Sequence, residues 1–313
     1  MMKIVVTGCS GFIGSHLCEK LLNEGNIVYG IDIINDYYDI TQKLNNLQIL
    51  KKYKNFYFYK ENIIDTKIIA SIKPDKVVHL AAMAGVRYSL ENPQLYMRTN
   101  VEGQTNLLKQ CVENDVKSFI YASSSSVYGM NKKVPFNEKD TIENVNSPYA
   151  ASKKSCETIA QLYNQLYGIT TIGLRFFTVY GPRGRPDMAP FKFLKAISNG
   201  YKFDKYGDGN TYRDYTYISD IVNGIMGAIE NKKKKKCEIY NLGNGNPINL
   251  NRFIQICEEV TGKNAIFNKL PDQPGDVPKT YADINNAIKD LDYNPKISFK
   301  EGLKNMYDWM KNT

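Results

Sequence analysis

A chain of 313 residues can bury a full core, as one large domain or two moderate ones, and its six scattered cysteines and two histidines exclude a disulfide frame, a zinc site and a histidine-rich metal centre. No run approaches the ~20 apolar residues that span a bilayer, and the N-terminus enters Lys3-Ile4-Val5-Val6 without a cleavable leader, so a cytoplasmic protein with no membrane partner is expected. The net charge of +9 owes much to Lys232 to Lys236, a run with no interleaved aromatic residues to stack bases, so a solvated loop is expected there and nucleic acid is not expected as a partner.

The chain opens with a short buried strand, Lys3 to Thr7, followed at once by Gly8-Cys9-Ser10-Gly11-Phe12-Ile13-Gly14. A helix pattern runs through Leu17, Leu21 and Leu22 to Gly25, and a second strand from Ile27 ends on Asp32. Glycines at the first turn of such a βαβ unit let backbone amides and the positive end of a helix approach a pyrophosphate. An acid at the end of the next strand can accept from both ribose hydroxyls and repels a 2′-phosphate, so the cofactor expected is NAD and not NADP.

Asn55 to Tyr59 reads as a strand, Asp65 to Ile72 as a helix, and Lys76 to Leu80 as a buried strand running into Ala81 and Ala82. Small residues there let a dinucleotide lie against the strand ends. A long helix over Asn100 to Glu113 precedes the strand Ser118 to Ala122, which opens into Ser123-Ser124-Ser125-Ser126-Val127-Tyr128-Gly129. The alternation implies an α/β fold of Rossmann type, a doubly wound parallel sheet with ligands at the strand C-terminal ends. Each motif so far falls at such an end.

Ser147-Pro148-Tyr149-Ala150-Ala151-Ser152-Lys153 follows, and on a helix Tyr149 and Lys153 share one face. A tyrosine near its ordinary pKa of about 10 is a poor base, and an ammonium beside it favours the phenolate. Tyr-x-x-x-Lys alone is also common as an ordinary surface pair, so its weight comes from its company. After Gly168 the strand Thr170 to Leu174 leads into a loop rich in glycine, proline and arginine up to Met188, and Tyr215 to Ile229 is expected to return to the sheet. The division expected is a nucleotide-binding domain of residues 1–175 with about 214–243, and a smaller α/β C-terminal lobe of 176–213 and 244–313 closing over the substrate.

Together these residues resemble the extended short-chain dehydrogenase/reductase family, in its nucleotide-sugar epimerase and dehydratase branch. The resemblance covers essentially the whole chain and rests on Gly8-x-x-Gly11-x-x-Gly14, Asp32, the serine run before Val127-Tyr128-Gly129, and Tyr149-x-x-x-Lys153. It is most similar to UDP-glucuronate 4-epimerases through Asn35-Asp36-Tyr37-Tyr38-Asp39, Ala84 to Ser89, Arg175 to Pro182, Gly184 to Ala189, and Gln273 to Pro278. Two positions depart from the pattern. Arg183 stands where tryptophan is usual, and Asn62 stands where an aspartate often faces the adenine amine, a bond an amide oxygen can still accept.

The resemblance implies an isomerase that converts UDP-glucuronate to UDP-galacturonate by transient oxidation at C4. It implies that Ser124 and Tyr149 hold the sugar 4-hydroxyl, Tyr149 takes its proton, C4 gives a hydride to NAD, and Lys153 holds the nicotinamide ribose. The 4-keto sugar then turns over and the hydride returns. The same resemblance implies an NAD site from Gly8, Gly11, Phe12, Ile13, Gly14, Asp32, Asn62, Ile63, Leu80, Ala81, Ala82, Asn100 and Phe176, although Phe176 can equally be core packing. The 4-keto intermediate of a uronic acid is a β-keto acid, which loses carbon dioxide if its C5–C6 bond aligns with the carbonyl. Ser125, Ser126 and Thr178, or the charges of Arg185 and Arg87, are expected to hold the carboxylate out of that alignment, unless the serines merely satisfy a tight turn. Tyr206, Arg213 and Asp276 match family positions for uridine diphosphate, and a homodimer through a four-helix bundle of Asn100–Glu113 and Tyr149–Tyr167 is implied.

Rivals differ in what they need. A 4,6-dehydratase usually carries Asp-Glu where Ser125 and Ser126 stand, and a UDP-glucuronate decarboxylase commonly carries glutamate at Ser126. UDP-glucose or UDP-N-acetylglucosamine 4-epimerase shares every catalytic residue and differs around C6. A silent NAD-binding scaffold would have no need of Ser124, Tyr149 and Lys153.

Overall fold

Runs of Val and Ile buried on both faces form the centre of the fold. The computed structural model describes residues 1–271 and 277–312. Its first half alternates β1 (Lys3–Thr7), α1 (Phe12–Asn23), β2 (Ile27–Ile31), α2 (Ile40–Leu50), β3 (Phe56–Tyr59), α3 (Ile68–Ile72) and β4 (Lys76–His79). Two short helices, α4 (Val86–Glu91) and α5 (Pro93–Tyr96), then run through a π-helical turn (Met97–Glu102) into α6 (Gly103–Glu113). Next come β5 (Ser118–Ser124), a single 3-10 turn (Ser125–Tyr128), α7 (Pro148–Tyr167) and β6 (Thr170–Phe176). The remainder is β7 (Thr178–Tyr180), α8 (Ala189–Asn199), β8 (Phe203–Tyr206), β9 (Tyr212–Arg213), β10 (Tyr215–Tyr217), α9 (Ile218–Glu230), β11 (Cys237–Leu242), β12 (Ile248–Asn249), α10 (Leu250–Thr261), β13 (Phe267–Leu270), β14 (Lys279–Thr280), α11 (Asn285–Leu291) and α12 (Phe299–Lys311).

Seven strands pair in the order β11-β6-β5-β4-β1-β2-β3, all parallel. Side chains alternate across the sheet. Ile4 and Val6 face a core with Leu17 and Leu21 of α1, Ile221 and Ile225 of α9 and Leu291 of α11. Val5 faces the opposite core, with Leu107 and Leu108 of α6, Phe119 of β5 and Ala160 of α7. The strand order reverses beside β1, which opens a crevice above the C-terminal ends of β1 and β4. This is the Rossmann-type doubly wound α/β sheet expected from the sequence.

A separate core joins Tyr180, Leu194, Tyr215, Phe253, Phe299, Leu303 and Met306, with the rings of Tyr215 and Phe299 4.9 Å apart. It is built by α8, α10 and α12 beside two small sheets, β12-β9-β14 and β13-β8. The segment after Tyr215 does return, since α9 packs on the large sheet.

Boundaries shifted where side chains compete with the helix. The helix expected from Asp65 begins only at Ile68, because Asn62 and Thr66 take up the backbone amides of Ile64 and Ile68 first. Helices α2, α4 and α5 lie where the sequence reading assigned no element. The lysine run is a turn between α9 and β11, with Lys232 paired to Asp292 at 3.0 Å and Lys235 to Asp290 at 3.3 Å. Among the described residues no helix is long and apolar enough to cross a membrane, and no group of His, Cys, Asp and Glu could hold a metal ion.

Candidate active site

The crevice at the switch point is a cavity of about 450 Å³. Its floor is the first turn. Gly8 has φ +72, and a Cβ on Gly14 would lie 2.1 Å from the Gly8 carbonyl oxygen, so α1 can come this close to β1 only through glycine. Gly11, Phe12 and Ile13 complete that wall; the Gly11 amide donates to the Gly8 carbonyl at 3.1 Å, and the first amides of α1 follow it at the cavity edge. Asp32 sits at the end of β2, its carboxylate accepting from the backbone amides of Ser10 at 3.0 Å and Ile34 at 2.9 Å. Burial pushes its pKa up, against the pull of those amides and of Lys43. Ile63 is buried at the same wall, while exposed Asn62 accepts from the Ile64 amide at 3.1 Å. Leu80, Ala81 and Ala82 form the edge above β4.

The opposite wall carries the reactive groups. Ser147 caps α7 through the Ala150 amide at 3.1 Å, with Pro148 at the first helical position, so Tyr149 and Lys153 share the first two turns. The Tyr149 ring stands edge-on to Tyr96, with centroids 6.0 Å apart. Lys153 is buried, and its ammonium donates to the Ala122 carbonyl of β5 at 2.8 Å. Ser124 ends β5 and accepts from the Ser126 amide at 3.1 Å, a bond that leaves its hydroxyl proton to donate elsewhere. Ser125, Ser126, Phe176 and Thr178 line the same cavity, all half-buried.

Arg185 reaches the cavity from the loop after β7. Asp187 holds its guanidinium at 2.6 Å, the Tyr37 ring lies under it at 5.2 Å, and Tyr37 in turn donates to the Ala84 carbonyl at 2.5 Å. The same loop is tied to α1. His16 and the Pro182 carbonyl are 2.9 Å apart, and Arg183 pairs with Glu19 at 2.5 Å. That pairing is the structural use of arginine at the position where tryptophan is usual. Burial, with Arg183 second, lowers the His16 pKa to about 4.

Four expected residues lie elsewhere. Asn100 is buried behind the cavity, where its amide binds the backbone of Met83 in both directions, at 2.8 and 3.0 Å, and donates to Ser152. Arg87 is exposed on α4. Tyr206 on β8 and Arg213 on β9 sit in the two small sheets, with Arg213 donating to the Val277 carbonyl at 2.7 Å. Asp276 lies outside the described residues.

Sequence reasoning missed Lys43, Tyr38, Met83 and Phe177, all of which line the cavity. Lys43 is buried, donates to the Asn35 carbonyl at 2.8 Å and lies 4.5 Å from the Tyr38 ring centre. A signal for its helix existed. Asp39 caps α2 through the Thr41 amide at 2.9 Å, and Leu44, Leu47 and Leu50 recur at helical spacing.

Residues 5–306 match the family model described as GDP-mannose 4,6 dehydratase. The chain is 44% identical to Protein CapI of Staphylococcus aureus, over 98% of both chains, and 44% identical to the UDP-glucuronate 4-epimerase of Thermodesulfobacterium geofontis, over 98% of this chain and 95% of that one. Among solved structures it matches the Bacillus cereus UDP-glucuronic acid 4-epimerase in complex with UDP-glucuronic acid and NAD at 38% identity and a TM-score of 0.93, over 99% of both chains.

Proposed function

This chain belongs to the extended short-chain dehydrogenase/reductase family, among its nucleotide-sugar enzymes, and we propose that it is an NAD-dependent UDP-glucuronate 4-epimerase. The observation that carries the reading is one cavity wall that joins Ser124, Tyr149 and Lys153 to Ser125, Ser126 and Thr178, with hydroxyls where a dehydratase needs acids.

The residues fit the cofactor. Gly8 and Gly14 bring the α1 N-terminus close against β1 at the cavity floor, where a Cβ would strike backbone, and Asp32 has lone pairs left for ribose hydroxyls. NAD would be held by that turn with Asp32, Asn62, Ile63, Leu80, Ala81, Ala82, Lys153 and Phe176, and when bound it supplies a reversible hydride acceptor for C4. Asn100 acts at one remove, by fixing the Met83 backbone.

Ser124 and Tyr149 take the sugar 4-hydroxyl between them. Tyr149 accepts its proton and later returns it. Ser125, Ser126 and Thr178 hold the C6 carboxylate so that the β-keto acid keeps its carbon dioxide, and Arg185 adds charge from the loop after β7. Arg213, Tyr206 and Asp276 serve the uridine diphosphate. The division into residues 1–175 with about 214–243, and 176–213 with 244–313, belongs to the same reading; the two separate cores support it in outline, while Leu291 of α11 packs in the sheet core and Tyr215 in the other.

A homodimer through α6 and α7 is part of the proposal. Leu162 and Leu166 on α7 are 46% and 61% exposed, and Leu95 and Met97 just ahead of α6 are also uncovered. Six free cysteines support a reducing cytoplasm. The test is product NMR with UDP-glucuronate, UDP-glucose and UDP-N-acetylglucosamine in turn. UDP-galacturonate as the fastest product supports the reading, and faster turnover of either neutral sugar would move the assignment to that substrate.

A further inference from the structure

Glu157 lies two turns beyond Tyr149, about 12 Å along the axis of α7, on the face that also carries Lys153. It is buried, and its carboxylate is shared among two strands. Oε1 accepts from Ser123 at 2.6 Å and from Arg175 Nε at 2.8 Å, while Oε2 accepts from Arg175 Nη2 at 2.9 Å. Ser123 and Arg175 are register partners on β5 and β6, and the next register pair is Ser124 with Phe176. One carboxylate therefore grips the two strands one residue before Ser124 and Phe176, which both line the cavity. Arg175 continues the chain of contacts to the Tyr128 hydroxyl at 2.9 Å, and Tyr128 donates to Asn241 at 2.7 Å.

A buried ion pair is a poor source of stability, because desolvation offsets its attraction and an apolar pair of similar volume often does as well. Its value lies in geometry. Hydride and proton transfer tolerate little misplacement of the reacting groups. The distance between Ser124 on β5 and Tyr149 on α7 is set by the register of the helix against the strands. Lys153 fixes that register once, through Ala122.

We propose that Glu157 is a positioning residue, which through Ser123 and Arg175 sets the register of the Tyr149 helix against the strand ends carrying Ser124 and Phe176. This rests on the epimerase reading above.

The test uses the holoenzyme as purified and two variants. Glu157→Asp keeps the charge and retracts it by one methylene, and the paired change Glu157→Leu with Arg175→Met keeps an apolar core. Expected for both is a fall in kcat on UDP-glucuronate of at least about tenfold, with KM, bound NAD per protomer and melting temperature close to native. Native kcat in the folded paired variant would overturn the proposal. So would parallel losses of kcat, NAD content and melting temperature in Glu157→Asp, since that pattern marks support of the fold alone. If the paired variant does not fold, Glu157→Asp decides. An unmodified chain inactive on every UDP-sugar would instead sink the epimerase reading, which keeps the two failures apart.

Discussion

The Lys153 ammonium donates to the Ala122 carbonyl at 2.8 Å, joining α7 to β5 two residues before Ser124. This bond consumes one of three N–H groups and leaves the others facing the cavity that Lys153 lines. Helix and strand are thus locked at the point where the proposed proton acceptor and its serine partner must meet the same sugar oxygen.

Removing only the Tyr149 hydroxyl isolates that role. Tyr149→Phe keeps the ring and its edge-on packing with Tyr96. Turnover on UDP-glucuronate is expected to fall by about 10²- to 10⁴-fold, while NAD content and melting temperature stay native. Substrate turnover and NAD released on denaturation are the measurements, and a variant retaining native kcat would remove Tyr149 from the chemistry.

The carboxylate clamp is tested by what leaks. Ser125→Ala with Ser126→Ala keeps the backbone amide of Ser126 that Ser124 accepts from. Losing hydrogen bonds to a charged group costs about 1.5–3 kcal/mol each, so KM for UDP-glucuronate is expected to rise about tenfold or more. Carbon dioxide and a UDP-pentose are expected beside the epimer. Unchanged KM with no pentose would show that the serines only shape the turn.

His79 gives a pH dependence of stability. It is fully buried, shares a hydrogen bond with Thr7 at 2.8 Å, and burial, with Lys153 second, lowers its pKa from 6.5 to about 3. Below pH 6.5 the unfolded chain holds a proton that the native histidine does not, so stability falls as pH falls, by up to about 1.4 kcal/mol per pH unit until about pH 3. Asp32 and Asp214, whose pKa values burial raises, contribute the opposite slope and cancel when the native chain is compared with His79→Asn. Melting temperatures at pH 7 and pH 5 should show a larger loss for the native chain. Equal losses would mean that His79 is protonated in the fold.

The groups legible in the sequence are those whose spacing is local. Gly8, Gly11 and Gly14 with Asp32 announce a βαβ turn, and Tyr149 with Lys153 announces one helical face, because each pattern is set within a few residues. The pairing of Ser123 and Arg175 through Glu157 spans three elements and depends on strand register, which no local period encodes. Asn100 was legible as a polar residue near the site but not as the brace of Met83, since that role depends on how the π-helical turn meets the loop after β4. Lys43 was hidden because residues 35–39 read as a family marker, with the helix behind them unassigned.

Isotope retention tests the central chemistry most directly. UDP-glucuronate carrying deuterium at C4 should give UDP-galacturonate with the label still at C4 and inverted configuration, because hydrogen leaves and returns within one enclosed site. Label washed into solvent, or a product altered at C5 or C6 instead, would contradict transient oxidation at C4.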